Sequence, residues 1–400
     1  MSDPAAAGAD PVAFAERVLA LLDSGSFTTS YKYAVLLAIV DCCLEQVDGE
    51  GAAPSVLHAH ELAAKVLERY WRQAVPFHAT GTPTVLRQRN ERGKRDLVTR
   101  IAEFRRRVGP QLSIVEARRA DPAGFAELRA LVEVTVVRMP LPKLQRIAAG
   151  DPFGDGFMYR VGWPNEVSAA RVMRGDFDDR VHLKPGVGEL LVRLAGVIRP
   201  VVQREWAHFV ARRNSDVLAE VDLDGFLFGV ERVALDRVRA PLTHLQDGAC
   251  FYCGDALRAT ADLDHFLPWS RCGDDGLDNL VAAHPRCNNR KRNSLAAPEH
   301  LERWMSRSQV HGSDLGMIAT DAGWLRDWRR TLGGARALYL HQPASLPLWL
   351  ADDRYVAADP DRLRPLLAGT AAHARAAEGA GTYTTGGRSR PGPLPFPGDE

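Results

Sequence analysis

The stretch CFYCGDALRATADLDHFLPWSRCGDDGLDNLVAAHPRCNNRKRN, residues 250–293, decides how the chain is read. It opens with Cys250 and Cys253 and closes with His284 and Cys287, two ligand pairs of identical spacing. Two intervening residues let one turn, or one helical step, aim both side chains of a pair at a single ion. Together the pairs make a Cys₃His set, which a tetrahedral Zn²⁺ accepts, and four protein ligands close such a site to chemistry. The zinc is therefore expected to hold the fold together. Cys272 belongs to neither pair and reads as a free thiol in a loop.

Between and behind the pairs stand residues for which a zinc staple has no use: Asp264 and His265, then Asn279, then Asn288 with Arg290, Lys291 and Arg292 after it. That order resembles the HNH endonuclease family, in which a hairpin and a helix form a ββα unit that grips one divalent ion against the scissile phosphate. The resemblance covers residues 250–293 of the 400. It implies that His265 is the general base, a task suited to an imidazole whose unperturbed pKa lies near working pH. It further implies that Asn279 orients the His and its loop, and that Asp264 and Asn288 ligate the catalytic ion. Many members carry His at the last position. Asn288 is instead a neutral oxygen ligand, which favours Mg²⁺ or Mn²⁺. The second zinc pair is His-x-x-Cys where Cys-x-x-Cys is commoner, and it keeps four N/S ligands. Arg290, Lys291 and Arg292 are expected to hold flanking phosphates of the nucleic acid.

Helix and strand geometry bear on this assignment. With a helix beginning near Pro285, Cys287 and Asn288 lie about 100° apart around it, so one can face the zinc and the other the catalytic ion. Asp264 and His265 fit less comfortably, because neighbours on a regular strand point to opposite faces. The strand is expected to end or twist there, just before Leu267-Pro268.

Composition sets the outer bounds. The 400 residues are 46% hydrophobic, enough for a sizeable core and, at this length, for two or three domains. No apolar run reaches the roughly 18 residues of a membrane span, and MSDPAAAGAD lacks the basic start and apolar stretch of a secretory signal, so the expected location is the cytoplasm. The cysteines do not describe a disulfide scaffold. A formal charge of +1 excludes a globally basic coat, so contact with nucleic acid has to come from local patches.

Outward from the motif the chain reads as mostly helical. Residues 1–10 form a leader, Asp10-Pro11 starts a helix reaching about Asp23, and Ser24-Gly25-Ser26 breaks it. Tyr31 to Glu45 is apolar nearly all round, which implies burial on most sides with Cys42 and Cys43 in the core. His58 to Gln73 carries Leu62, Val66, Leu67 and Tyr70 at helical spacing. Arg87 to Arg107 is the most basic segment, either a solvated face laced with ion pairs or a surface that tracks phosphates. Val132, Val134 and Val136 alternate with polar residues as in a short strand, the turn from Asp151 to Gly156 follows, and Phe157 to Trp163 reads as a second strand. A long helix from Gly186 to Arg213, kinked at Pro200, precedes two short helices in residues 216–247. After the motif come a helix from Pro298 to Ser306 with Trp304 inward, and helical pieces from Asp314 to about Leu350 carrying Trp324, Trp328 and Trp349 as core anchors. From about Gly369 the composition reads as a disordered tail.

The expected fold class is mainly α with a small α+β part, a zinc-stapled ββα unit embedded in a helical chain. The expected divisions are a helical N-terminal domain (1–130), a mixed strand and long-helix region (131–214), the HNH domain (215–308), a helical extension (309–368) and the tail (369–400). The segments YKYAVLLAIVDCC, LERYWRQAVPF and CFYCG also resemble bacterial HNH proteins with a helical N-terminal region. The resemblance implies a metal-dependent endonuclease acting on DNA, with RNA left open and restriction of foreign DNA as one setting. The alternative is a zinc-stabilised module that binds nucleic acid without cleaving it, which would have no need of His265 beside Asn279 and Asn288. A zinc-stapled protein-interaction scaffold is a third reading. Oligomeric state is not legible in the sequence.

Overall fold

The computed structural model describes residues 10–24, 28–77, 83–89, 96–145, 156–164, 166–215, 223–229, 232–257, 261–343 and 345–368. The leader, the break at 25–27, Arg92, Lys94 and Arg95, the turn at 151–155 and the tail lie outside the described residues.

The N-terminal helices begin where local chemistry starts them. Asp10 accepts the Val12 amide at 2.9 Å and Pro11 opens α1 (Pro11–Ser24). Next, α2 (Tyr31–Glu45) is buried from Tyr33 through Leu44, as its apolar circumference requires, with Cys42 and Cys43 inside. Strand β1 (Val56–His58) leads straight into α3 (Ala59–Gln73), which buries Leu62, Val66, Leu67 and Tyr70. Asp96 caps α4 (Leu97–Val108) through the Thr99 amide, and a Ser113–Glu116 capping box opens α5 (Ile114–Ala120).

The alternating valines do not form a strand. They lie in α6 (Pro122–Arg138), which buries Leu128, Val132 and Val136, residues one helical turn apart. The Asp121 cap and Pro122 start that helix upstream, and the period-two run is too short to compete with it. After α7 (Pro140–Lys143) come β2 (Tyr159–Val161), inside the expected second strand, α8 (Ala169–Arg174) and β3 (Arg180–Leu183). β3 lies between β1 and β2 in an antiparallel sheet. The long helix is α9 (Val187–Arg213), with Pro200 inside it. The two expected short helices are α10 (Leu223–Phe228) and α11 (Arg232–Leu245).

The motif region holds β4 (Asp262–His265), α12 (Trp269–Cys272), β5 (Leu280–Ala283) and α13 (Pro285–Lys291), so hairpin and helix occur in the expected ββα order. Cys272 ends a short helix and is buried there, instead of lying in a loop. Beyond it α14 (Pro298–Val310) turns Trp304 fully inward, and α15 (Gly312–Ala322) and α16 (Trp328–Leu340) continue the helical pattern. Trp349 is a core anchor, but on a strand: β6 (Pro347–Ala351) pairs with β7 (Arg354–Ala357) before α17 (Pro360–Ala368). The chain is thus mainly helical with small antiparallel sheets. Among the described residues no helix is long and apolar enough to cross a membrane.

One apolar cluster runs from Phe14 to Leu367 and includes Phe266, Leu267 and Cys287 of the motif. A smaller one joins Val238 and Leu242 of α11 to Leu277, Leu280 and Leu315. The motif therefore sits between two cores. Beside α2 the interior also holds charge: Asp41 pairs with Arg69 of α3 and Arg199 of α9, and Glu45 pairs with Lys65 at 2.5 Å and Arg330 at 2.8 Å.

Burial pushes the Asp41 carboxyl up, but Arg199 and Arg69 more than offset this and hold it at about 2. A carboxyl depressed in the folded state stabilises the fold above its unfolded pKa of about 3.9, and that contribution is lost as pH falls through the folded value. Urea unfolding followed from pH 5 to pH 2 should therefore show stability falling below about pH 4, with about 2–3 kcal/mol attached to this carboxylate. Asp41→Asn should be less stable at pH 5 and show a shallower fall. Parallel pH profiles for wild type and variant would rule this out.

Candidate functional site

The first ligand pair sits on a tight turn. Cys250 donates its amide to Asp255 O and accepts the Gly254 amide, both at 2.9 Å, and Gly254 at φ 76° supplies the left-handed step that closes the turn. The second pair straddles the start of α13, where His284 is the N-cap, Pro285 the first helical residue and Cys287 the third. The ligand atoms of Cys250, Cys253, His284 and Cys287 all lie within 4.8 Å of one another. Sulfurs around a tetrahedral zinc, with Zn–S bonds of about 2.3 Å, stand about 3.8 Å apart, so the set fits such an ion with little movement. His284 Nδ1 lies 3.3 Å from Cys253 Sγ, while Nε2 lies 3.2 Å from Ala256 O, to which it donates. That outer bond leaves the Nδ1 lone pair facing the thiols. Burial and the neighbouring thiols push Cys287 up to about 12, a repulsion that a bound dication would reverse.

The hairpin resolves the tension between Asp264 and His265. β4 pairs with β5 through His265↔Leu280 and Asp264↔Val281, and strand alternation turns the two side chains to opposite sides. Asp264 turns inward, where its Oδ2 accepts Tyr252 OH and meets Lys291 Nζ at 2.9 Å. His265 turns the other way, with Nε2 2.8 Å from Asp275 Oδ1, and Arg72 of α3 pairs with the second oxygen of Asp275. Burial pushes the Asp275 carboxyl up, but Arg72 and His265 together hold it down, at about 2. An ionised acceptor at Nε2 fixes the imidazole with Nε2–H toward Asp275 and the Nδ1 lone pair free.

Asn279 is fully buried and works as a clasp. Its Oδ1 accepts the Leu267 amide at 2.8 Å, and its Nδ2 donates to Leu267 O at 3.1 Å and Asp274 O at 2.9 Å. The loop after His265 is thereby tied to the loop that carries Asp275. Asn288 donates from Nδ2 to Asp262 Oδ2 at 3.2 Å, which sets its amide so that Oδ1 is the remaining acceptor.

The basic run after Asn288 divides. Arg292 is exposed and Arg290 pairs with exposed Asp352, but Lys291 is fully buried, its Nζ bonded to Asp264 and, at 2.8 Å, to His265 O. Its charge faces the hairpin, where a phosphate cannot reach it. The upstream basic segment divides as well. Arg105 lies buried over the Trp71 ring and donates to Pro110 O at 2.8 Å, while Arg107 pairs with Asp121 and Arg106 is exposed.

Sequence reasoning missed Asp275, Asp262, Tyr252 and Arg72. The Asp274-Asp275 pair before Gly276 lies between His265 and Asn279, and a carboxylate there is a natural partner for an imidazole. Arg72 gives no local signal, because it meets Asp275 only through the packing of α3.

Residues 250–297 match the family model described as HNH endonuclease. No curated protein and no solved structure matches the chain.

Cys253→Ser should abolish zinc retention and loosen the hairpin and α13, since structural zinc can contribute on the order of 10 kcal/mol to a small metal unit. Elemental analysis with hydrogen exchange checks this, and full zinc occupancy in the variant would contradict it. Lys291→Met should separate from Arg292→Ala. The first leaves a buried carboxylate unpaired and should cost about 3–5 kcal/mol, whereas the second should leave denaturant stability nearly unchanged.

Proposed function

We propose that the chain, whose residues 250–297 match the HNH endonuclease model, is a metal-dependent nuclease that hydrolyses DNA phosphodiester bonds. The observation that carries this reading is the His265–Asp275 pair, a buried carboxylate held 2.8 Å from Nε2 of the hairpin imidazole. A zinc staple or a passive binding module gains nothing from a buried carboxylate aimed at a hairpin imidazole.

In the proposed reaction His265 takes a proton from water at Nδ1 as the water oxygen attacks phosphorus, and the bond from phosphorus to the leaving oxygen breaks. Asp275 holds Nε2–H throughout and stabilises the imidazolium that forms. Arg72 keeps Asp275 ionised and in place. Asp264, through the Oδ1 that Tyr252 and Lys291 do not take, and Asn288, through its amide oxygen, would hold a Mg²⁺- or Mn²⁺-class ion, a hard donor set suited to such ions, with Asp262 orienting Asn288. That ion, when bound, supplies charge stabilisation to the phosphorane and leaving oxygens. The Cys₃His set would hold structural Zn²⁺. Arg290 and Arg292 would contact flanking phosphates, and Lys291 serves the fold. Large helical flanks beside a small nuclease unit suit a protein that restricts foreign DNA.

Cleavage of plasmid, linear duplex, modified and single-stranded DNA, and of RNA, in Mg²⁺, Mn²⁺ or EDTA tests the reading. His265→Ala should keep zinc and fold while lowering the rate by roughly 10²–10⁴, with no rescue by added metal. Asn288→Ala should recover as Mg²⁺ or Mn²⁺ rises. Asp275→Asn should lose part of the same factor, because the imidazolium that forms loses its hydrogen-bonded counter-ion. Wild-type cleavage by His265→Ala would remove the catalytic assignment and leave the binding module in its place.

A further inference from the structure

Outside the nuclease unit, ligand-type side chains converge a second time where β1 hands over to α3. His58 is the last residue of β1, His60 is the second of α3, and Asp179 stands immediately before β3, the strand that pairs with β1. The backbone fixes this meeting: His58 lies opposite Arg180, and the Ala59 amide donates to Asp179 O at 2.8 Å. Asp179 offers one carboxylate oxygen to each ring, Oδ1 at 2.9 Å from His58 Nδ1 and Oδ2 at 2.6 Å from His60 Nδ1. The ring centroids are 5.5 Å apart.

We propose that His58, His60 and Asp179 form a second metal site, taking a divalent first-row transition ion such as Zn²⁺ or Ni²⁺ through two imidazole nitrogens and one carboxylate, with water in the remaining positions. The three ligand atoms lie within 4.8 Å of one another. Bonds of about 2.0–2.2 Å meeting near a right angle would separate neighbouring ligand atoms by about 2.8–3.1 Å. The His58 contact already has that spacing, and the His60 contact needs to open by a few tenths of an ångström. Binding replaces the two Nδ1 protons with the ion and keeps the carboxylate charge as partial compensation. An N₂O donor set selects borderline ions over Mg²⁺ or Ca²⁺, which prefer all-oxygen shells. All three side chains are part-exposed, which gives an ion an entry path and leaves room for water ligands.

A hydrogen-bonded clasp is the competing account. The backbone already fixes how β1 meets β3, through Leu57↔Val181 and the Ala59–Asp179 bond, so that register does not need two imidazoles on one carboxylate. A metal site does need them.

The test is calorimetric titration of tag-free full-length protein, with its Cys₃His zinc retained, against Ni²⁺. It is run on wild type and on Asn288→Ala, so that binding at the proposed catalytic site is counted separately. The expected result is one Ni²⁺ site present in both proteins. In Asp179→Asn and in His60→Gln, each shown by circular dichroism to be folded, affinity should fall at least tenfold, since even outer partners of metal ligands are worth roughly 10–100-fold. No Ni²⁺ site in wild type, or unchanged affinity in both folded variants, would overturn the proposal and leave the clasp. Neither outcome bears on DNA cleavage, so this site and the nuclease reading stand or fall separately.

Discussion

Opposed charges buried between α2, α3, α9 and α16 fix where the loop from Cys272 to Asp275 can lie. The carboxylates of Asp41, Glu45, Glu68 and Asp274 face the cations of Lys65, Arg69, Arg199 and Arg330, all buried or half-buried. Removing so many charges from water is tolerable only if every one is paired, and pairing demands one relative placement of the helices. The same groups reach beyond the helices. Arg199 donates to Cys272 O at 3.2 Å, and Thr331 of α16 donates to Asp274 at 2.7 Å. Arg72, one turn beyond Arg69 on α3, takes Asp275. The segment from Cys272 to Asp275 is therefore held from three helices, and Asp275 in turn holds His265.

This explains why the helical region is more than a neighbour of the hairpin. Lys65, Glu68, Arg69 and Arg72 recur along α3 at steps of three, one and three residues, so one face of the helix carries charge into the interior while Leu62, Val66 and Tyr70 fill the apolar face. A hairpin of two four-residue strands is marginal alone. Here the imidazole geometry is borrowed from a 15-residue helix far away in sequence.

Local chemistry was legible in the sequence and tertiary partnership was not. Tyr31 to Glu45 could be bounded because its composition is apolar on every side, and the metal pairs could be found because ligand spacing is a local property. The valines at 132–136 misled because three alternating residues satisfy period two, while the capped helix around them is set by Asp121 and Pro122. Trp349 was legible as core but not as strand, since its partner Tyr355 lies across a hairpin of irregular register. Lys291 looked like its arginine neighbours until the helix turned it inward. Asp264 and His265 stand out in the motif, yet the groups each meets, Lys291 with Tyr252 on one side and Asp275 with Arg72 on the other, come from segments that spacing does not connect.

The short helix α13 brings these constraints to one place. Seven residues cannot sustain a helix in water, because nucleation is costly and too few bonds follow to repay it. Its two ends are therefore secured from outside. At the start His284 and Cys287 join the cysteine turn, where zinc would close the set. At the end Lys291 is buried with its ammonium on Asp264 Oδ2 and His265 O, so a single cation ties both Asp264 and His265 of β4 to the helix. Asn288 lies between these two pins, one residue after the last thiol and three before the lysine, and its amide is oriented by Asp262. Loosening either pin would let the helix rotate or fray, and the Asn288 oxygen would move relative to β4 with no change to Asn288, Asp264 or His265 themselves. The Cys₃His set and the buried lysine thus act on the proposed chemistry only through position, and that dependence is why both belong to a unit so small.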